Sequence, residues 1–254
     1  MSSTGFENRS VVVTGAGSGI GRATALLFAV GGANVVVAYI DGARAEAVVG
    51  EIEAAGGSAV AVAGDLCDQA VVDLVVRTAV DRFGGLDVLV NNAGIMDRMS
   101  AAADVTDEEW ERVIRVNLTA PFLLTRAALP HMLARGRGAI VNTASEAALR
   151  GSAAGTPYTV SKHGIVGLTR SVAIMYRDAG IRANAIAPGG TRTNLVVDVP
   201  PGTHGPTVLA SYLQNIGRVA DADEQAAAIV FLASEAASNI NGVVLPTDNG
   251  WSAV

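Results

Sequence analysis

A chain of 254 residues, 50% hydrophobic and 17% charged, with mean hydropathy +0.38, can bury a large core, which excludes an intrinsically disordered protein. Eighteen Lys and Arg against 24 Asp and Glu give a net charge of −6 and a pI of about 5.0. No run of basic residues appears, which argues against a nucleic-acid or anionic-membrane surface.

Short apolar runs without alternation recur at residues 11–13, 35–37, 59–63, 88–90, 139–141, 183–187 and 243–245. Continuous apolarity reads as strands covered on both faces, the pattern of a parallel sheet. Helical stretches at 20–30, 43–55, 69–83, 107–133, 158–179 and 223–234 separate them. The uncharged span 23–40 approaches membrane length, but Gly31-Gly32-Ala33-Asn34 divides it into helix, turn and strand. Strict alternation predicts one α/β domain over 1–254, a doubly wound parallel sheet of about seven strands with helices on both faces. Residues 194–217 carry Pro200, Pro201, Gly202, Gly205 and Pro206 where a plain connection needs only a few residues, and read as a substrate lid. The single cysteine, Cys67, allows no internal disulfide, and residues 1–10 hold no charged segment followed by an apolar one; the expected compartment is the cytoplasm.

After the first strand comes Thr14-Gly15-Ala16-Gly17-Ser18-Gly19-Ile20-Gly21 and then a helix. Backbone amides in such a turn approach a pyrophosphate closely, and the helix N-terminus favours its charge. The G-x-G-x-x-G pattern fails at Ile20, leaving G-x-x-x-G-x-G through Gly15, Gly19 and Gly21, or a turn that only packs tightly. Asp41 stands at the spacing expected of an acid on the adenosine ribose hydroxyls. Asp65 reads either as an acceptor for an adenine amino group or as a helix cap, a role that Asp68 fills more naturally.

Of the 18 basic residues 17 are arginine; the one lysine, Lys162, lies four residues after Tyr158 at the start of a predicted helix, on the same face. Shuffling would put the lysine four after one of the four tyrosines in only about 2% of sequences, so the spacing carries information. A tyrosine titrates near pKa ~10, and a unit charge at about 4 Å contributes on the order of 4 kcal/mol toward its phenolate, enough to make it a base near neutrality. The three histidines, His131, His163 and His204, are too scattered for a metal site; His204 falls in the lid, where a solvated loop side chain is the plainer reading.

Taken together, these motifs resemble the classical short-chain dehydrogenase/reductases over the whole chain, and the resemblance implies a Rossmann-type sheet and hydride transfer between NAD(P) and a secondary alcohol or ketone. It implies that the glycine turn, Asp41, Asp65, Leu66, Asn91-Asn92-Ala93-Gly94, Pro188, Gly189, Thr191 and Thr193 contact the dinucleotide, as do Tyr158 and Lys162. Ser145, thirteen residues before Tyr158, matches the catalytic serine, and Asn117 resembles the asparagine that holds a proton-relay water. NAD is expected over NADP, because Ser18 and Ile40 stand where NADP enzymes carry a base and Asp41 would repel a 2′-phosphate; against this, Tyr39 replaces the usual acid. Related enzymes pair the last strand across a two-fold axis, so 243–251, read as an edge strand ending in an exposed Trp251, implies a homotetramer. Glu146 and Arg150 line the pocket or pair on the surface. The runner-up activity is a 3-oxoacyl thioester reductase with a basic entrance built from Arg98, Arg192 and Arg218, and the reading from another class is a dinucleotide-binding sensor without turnover.

Overall fold

Each of the seven apolar runs forms a strand: β1 (Ser10–Thr14), β2 (Asn34–Tyr39), β3 (Ser58–Ala63), β4 (Val88–Asn91), β5 (Gly138–Thr143), β6 (Ile181–Pro188) and β7 (Val244–Thr247). The computed structural model describes residues 5–193, 197, 199 and 202–253. The strands join in the order β3-β2-β1-β4-β5-β6-β7, every pair parallel, so the winding reverses between β1 and β4. Side chains of a strand point alternately to the two faces, and both faces are packed. Val11, Val13, Val35, Val37 and Val141 meet Phe28 of α1 (Gly19–Val30) and Ile229 of α8 (Ala222–Ala233). Val12, Val36, Leu89 and Ile140 meet Val72 and Val75 of α3 (Gln69–Phe83) and Leu124 and Met132 of α5 (Ala120–Arg135). Two-sided burial is why the runs lack alternation.

The remaining helices are α2 (Gly42–Ala54), α4 (Asp107–Ile114), α6 (Thr156–Tyr176) and α7 (His204–Leu213). Two of them correct the sequence reading. The helix expected over 107–133 is α4 and α5 joined by a wider π turn, Arg115–Thr119. Pro121 explains the break, since it has no N–H to give the carbonyl of Asn117 four residues earlier and the α-helical ladder cannot continue there. The span read as a substrate lid contains a helix that the sequence reading did not place there, α7, whose Pro206 sits in the first turn, where a missing N–H costs nothing. Of that span, residues 194–196, 198 and 200–201 lie outside the described residues.

At the opposite end of the sheet, Asp87 is buried beneath three guanidiniums: Arg9 at 3.4 Å, Arg135 at 3.3 Å and Arg137 at 3.1 Å. It also accepts the N–H of Ser10 at 3.0 Å. Burial pushes its carboxyl up, but the Ser10 donor and the three arginines outweigh it and hold the group below the usual carboxylate range. A depressed folded-state pKa means the stabilisation is present at neutral pH and is lost as pH falls through that pKa. Asp87→Asn is therefore expected to lower unfolding free energy at neutral pH by about 2–4 kcal/mol in chemical denaturation, with the gap closing in acid.

Candidate active site

The turn between β1 and α1 lies hard against the end of β4. Thr14 Oγ1 donates to the Val90 carbonyl (3.1 Å) and accepts from the N–H groups of Asn92 (2.9 Å) and Ala93 (3.1 Å). Gly15 has φ +66°, and a Cβ there would fall 2.9 Å from Ala93 Cα, so only glycine fits. Above this contact opens a cavity of about 720 Å³, running along the C-terminal ends of the strands where the winding reverses. Gly15, Ser18, Gly19 and Ile20 form its wall at the start of α1. Ser18 holds the N-cap position of α1 without a side-chain cap bond, and the first turn carries no acid, so the helix offers its free amides to the cavity. A pyrophosphate fits this donor set.

The expected dinucleotide residues separate into two groups. Asp65, Leu66, Asn92, Ala93, Gly94, Pro188, Gly189, Thr191 and Thr193 line the cavity. Gly17, Gly21, Asp41 and Asn91 are not part of its lining. Gly17 is covered by the ring of Tyr39, and Gly21 packs on the Gly15 carbonyl. Asn91 ties β4 to β5 and α5 through Asn142 (2.9 Å) and Thr125 (3.2 Å). Asp41 caps α2, accepting from the N–H groups of Ala43 (3.0 Å) and Arg44 (3.3 Å), and its partner Arg44 lines the cavity instead. Asp68, not Asp65, caps α3.

Ser145 leaves the end of β5 and caps a short turn by accepting the N–H of Ala147 at 3.1 Å. Tyr158 and Lys162 face the same cavity from α6, both buried, with the ammonium 5.4 Å from the centre of the phenol ring. Lys162 Nζ donates to the Thr143 carbonyl at 2.9 Å. Burial pushes the Tyr158 phenol up to about 12, against a hydrogen bond with Ser145 that pulls it down and the charge of Asp97 that raises it. Burial likewise lowers Lys162 to about 8. The depressed tyrosine expected from the sequence does not appear; desolvation is the largest influence on the phenol.

Asp97 escaped the sequence reading. Gly155 at the N-cap of α6 has no side chain to give, and Asp97 accepts the N–H groups of Tyr158 (2.9 Å) and Gly155 (3.2 Å) from outside the helix. That carboxylate, 1% exposed, fixes the first turn and with it the phenol. The absence of a local cap ahead of residue 156 was the available signal. Asn117 acts as a second brace: its amide accepts from Ile95 N–H (2.8 Å) and donates to the Ile95 carbonyl (2.9 Å) and Ser161 Oγ (3.2 Å). Trp251, expected to be exposed, is 6% exposed and packs with Tyr158 and Ala147 on the cavity wall. His204 is exposed at the start of α7.

A family model described as short chain dehydrogenase matches residues 9–203. The chain is 43% identical over 249 residues to a cis-4-hydroxycyclohexanecarboxylate dehydrogenase of Sinomonas cyclohexanicum, covering 98% of each. Among solved structures it superposes with TM-score 0.86 on a 3-ketoacyl-(acyl-carrier-protein) reductase of Brucella melitensis complexed with NADH (38% identity, 97% of this chain and 99% of that one). It superposes equally well, with TM-score 0.86, on a Beutenbergia cavernae protein assigned as an NAD(P) dependent gluconate 5-dehydrogenase, solved with NADP at low occupancy (37% identity, 99% and 100%).

A lysine whose folded pKa of about 8 lies below its ordinary 10.5 binds fewer protons folded than unfolded between those values, so it penalises the fold below about 8 and the penalty fades as pH rises. Lys162→Met is expected to be more stable than the parent at neutral pH by about 1–3 kcal/mol in denaturant unfolding, with the difference vanishing in strong alkali. A less stable variant would mean that the ammonium earns its place through attraction alone.

Proposed function

This chain belongs to the short chain dehydrogenase family and is an NAD(P)-dependent oxidoreductase, and we propose that it interconverts an uncharged secondary alcohol and its ketone, the carbinol carbon lying in an apolar ring or chain. The observation that carries this reading is the enclosure of Ser145 and Tyr158 by Met96, Met99, Leu213, Ile216 and Trp251, a wall that offers no charge to a substrate. Relatives named for cis-4-hydroxycyclohexanecarboxylate and for cyclohexanol support the ring, and the second of them supports an uncharged one.

When bound, the dinucleotide supplies the acceptor or donor of the hydride. Ser145 donates a hydrogen bond to the substrate oxygen, Tyr158 takes its proton, and the Lys162 ammonium stabilises the phenolate. Asn117, its side chain committed to Ile95 and Ser161, leaves its main-chain carbonyl as the acceptor for a relay water, at the position where Pro121 breaks the ladder. The working state, ammonium beside phenolate, holds the same number of protons as neutral amine beside phenol, so the pair titrates as a unit. It forms as the first proton leaves the pair, which sets the rising limb of alcohol oxidation at about pH 8.

The 3-oxoacyl thioester reading needs a basic entrance, and two of its arginines are engaged elsewhere: Arg192 pairs with Asp221 and Arg218 with Glu224 at 2.7 Å. For the cofactor we propose NAD, since the Asp41 carboxylate repels a 2′-phosphate, a repulsion that Arg44, 3.7 Å from it and lining the cavity, offsets in part. We propose a cytoplasmic homotetramer, supported by Phe122, Leu133, Ile174 and Met175, large apolar side chains exposed on α5 and α6.

A screen of uncharged cyclic alcohols, charged alcohols and acyl thioesters, followed by cofactor absorbance with NAD and NADP, tests the reading. Cyclic alcohols are expected to give the highest kcat/KM, with NAD ahead by less than about tenfold and a rising limb near the stated pH. Thioesters ahead of all alcohols, or NADP ahead of NAD, would refute the corresponding part.

A further inference from the structure

Hydride transfer as described gives the buried charge of Glu146 no task. Glu146, next in sequence to Ser145, is fully buried yet does not line the cavity. Its Oε1 meets Arg150 Nε at 2.7 Å, a contact out of hydrogen-bond alignment, and neither carboxylate oxygen has an aligned donor among the described residues. Such a charge is costly to bury with one partner. Burial pushes its carboxyl up, Arg150 pulls it down, and Asp248 adds to the rise.

What the pair accomplishes shows on the far side of Arg150, whose guanidinium also donates to the carbonyl of Ser252. Asp248 holds the same turn from within, accepting the N–H groups of Gly250 (3.0 Å) and Ser252 (2.8 Å). Between them lies Trp251, and its indole packs against Tyr158, Ala147 and Ala153 on the substrate side of the cavity. The turn itself is anchored to the end of β6 and to α8: a Cβ on Gly189 would fall 2.8 Å from Asp248 Cα, and Gln225 Nε2 donates to the Thr247 carbonyl at 2.8 Å. One chain of contacts therefore runs from the residue beside the catalytic serine, through Arg150, to the tryptophan that closes the pocket.

We propose that Trp251 is the specificity-determining wall for the substrate ring, and that Glu146 and Arg150 are positioning residues that hold it there. The inference rests on the apolar-alcohol reading for its substrate and on geometry alone for the strap. A flat indole beside the phenol covers one face of an alicyclic ring and limits how large a ring can enter, while the polar anchors stay outside the pocket. Charge on Glu146 reaches the wall through Arg150, which is why the carboxylate can lie behind the wall.

Two measurements on the full chain test this. The first is steady-state oxidation of cyclohexanol and of the larger decahydro-2-naphthol. Trp251→Ala is expected to raise KM for cyclohexanol by about tenfold with kcat changed by less than about threefold, to lower KM for the bicyclic alcohol, and to leave the KM of the dinucleotide unchanged. Arg150→Ala and Glu146→Gln are expected to reproduce that pattern, Arg150→Lys to restore part of it, and neither to add to it when Trp251 is already alanine. Additive losses, or unchanged KM for both alcohols in Trp251→Ala, would overturn the proposal. The second needs no turnover. Trp110 and Trp251 are the only tryptophans, so Trp110→Phe leaves Trp251 as the sole emitter. Its emission is expected to be blue and poorly quenched by acrylamide, and Arg150→Ala to shift it to the red with far-ultraviolet circular dichroism unchanged. Emission that stays blue would overturn the strap. If the parent enzyme oxidises neither alcohol, the substrate reading fails and the fluorescence result alone decides the strap.

Discussion

Lys162 is the only lysine in the chain, its ammonium lies almost out of water, and the Thr143 carbonyl 2.9 Å away is its acceptor. Much of the site exists to make that placement tolerable. The carbonyl is fixed because it ends β5 in the middle of the sheet, with Asn91 and Asn142 cross-linking the strands beneath it. The amine is fixed because α6 is fixed, its first turn capped by Asp97 and its flank braced by Asn117 through Ser161. An arginine, the cation this chain uses everywhere else, would bring five donors to a place offering one acceptor. The fold thus accepts a penalty in stability for a compact charge beside a phenol, which is the usual exchange at a catalytic centre.

The rest of the cavity depends on a second close contact, between the first turn and the end of β4. Thr14 knits the two strands where the winding reverses, and Gly15 lets the backbones touch. This contact turns the free amides of α1 toward the same cleft that Lys162 enters from the other side. The free amides of α1 and the Tyr158–Lys162 pair are in this way held by a single sheet, with no hinge between them.

Burial on both faces made the seven strands legible as unbroken apolar runs, and the helical period alone brought Tyr158 and Lys162 together. Features that depend on distant partners were not legible. Asp97 reaches Tyr158 across 61 residues, and no local pattern marks a cap supplied from another loop. Asp41 is a local case by contrast: it has the right spacing for a ribose, and its Oδ1 also accepts the two N–H groups at the start of α2. Trp251 looked like an exposed end because an apolar residue after an edge strand has no local partner; its partners are on α6 and the turn after β5. The pKa of Tyr158 was misjudged for a related reason. A helical spacing fixes neighbours, but only the folded environment says how much water is removed from them, and here desolvation is the larger effect.

The central claim is that Tyr158 is the group that takes the substrate proton. Single-turnover hydride transfer by Tyr158→Phe, followed by cofactor absorbance after mixing with a cyclic alcohol, tests it directly, with dinucleotide affinity measured in parallel. The account predicts affinity within about threefold of the parent and a transfer rate lower by about 10²–10⁴-fold, the usual worth of a positioned general base. Transfer within about threefold of the parent rate, with the dinucleotide bound normally, would contradict it.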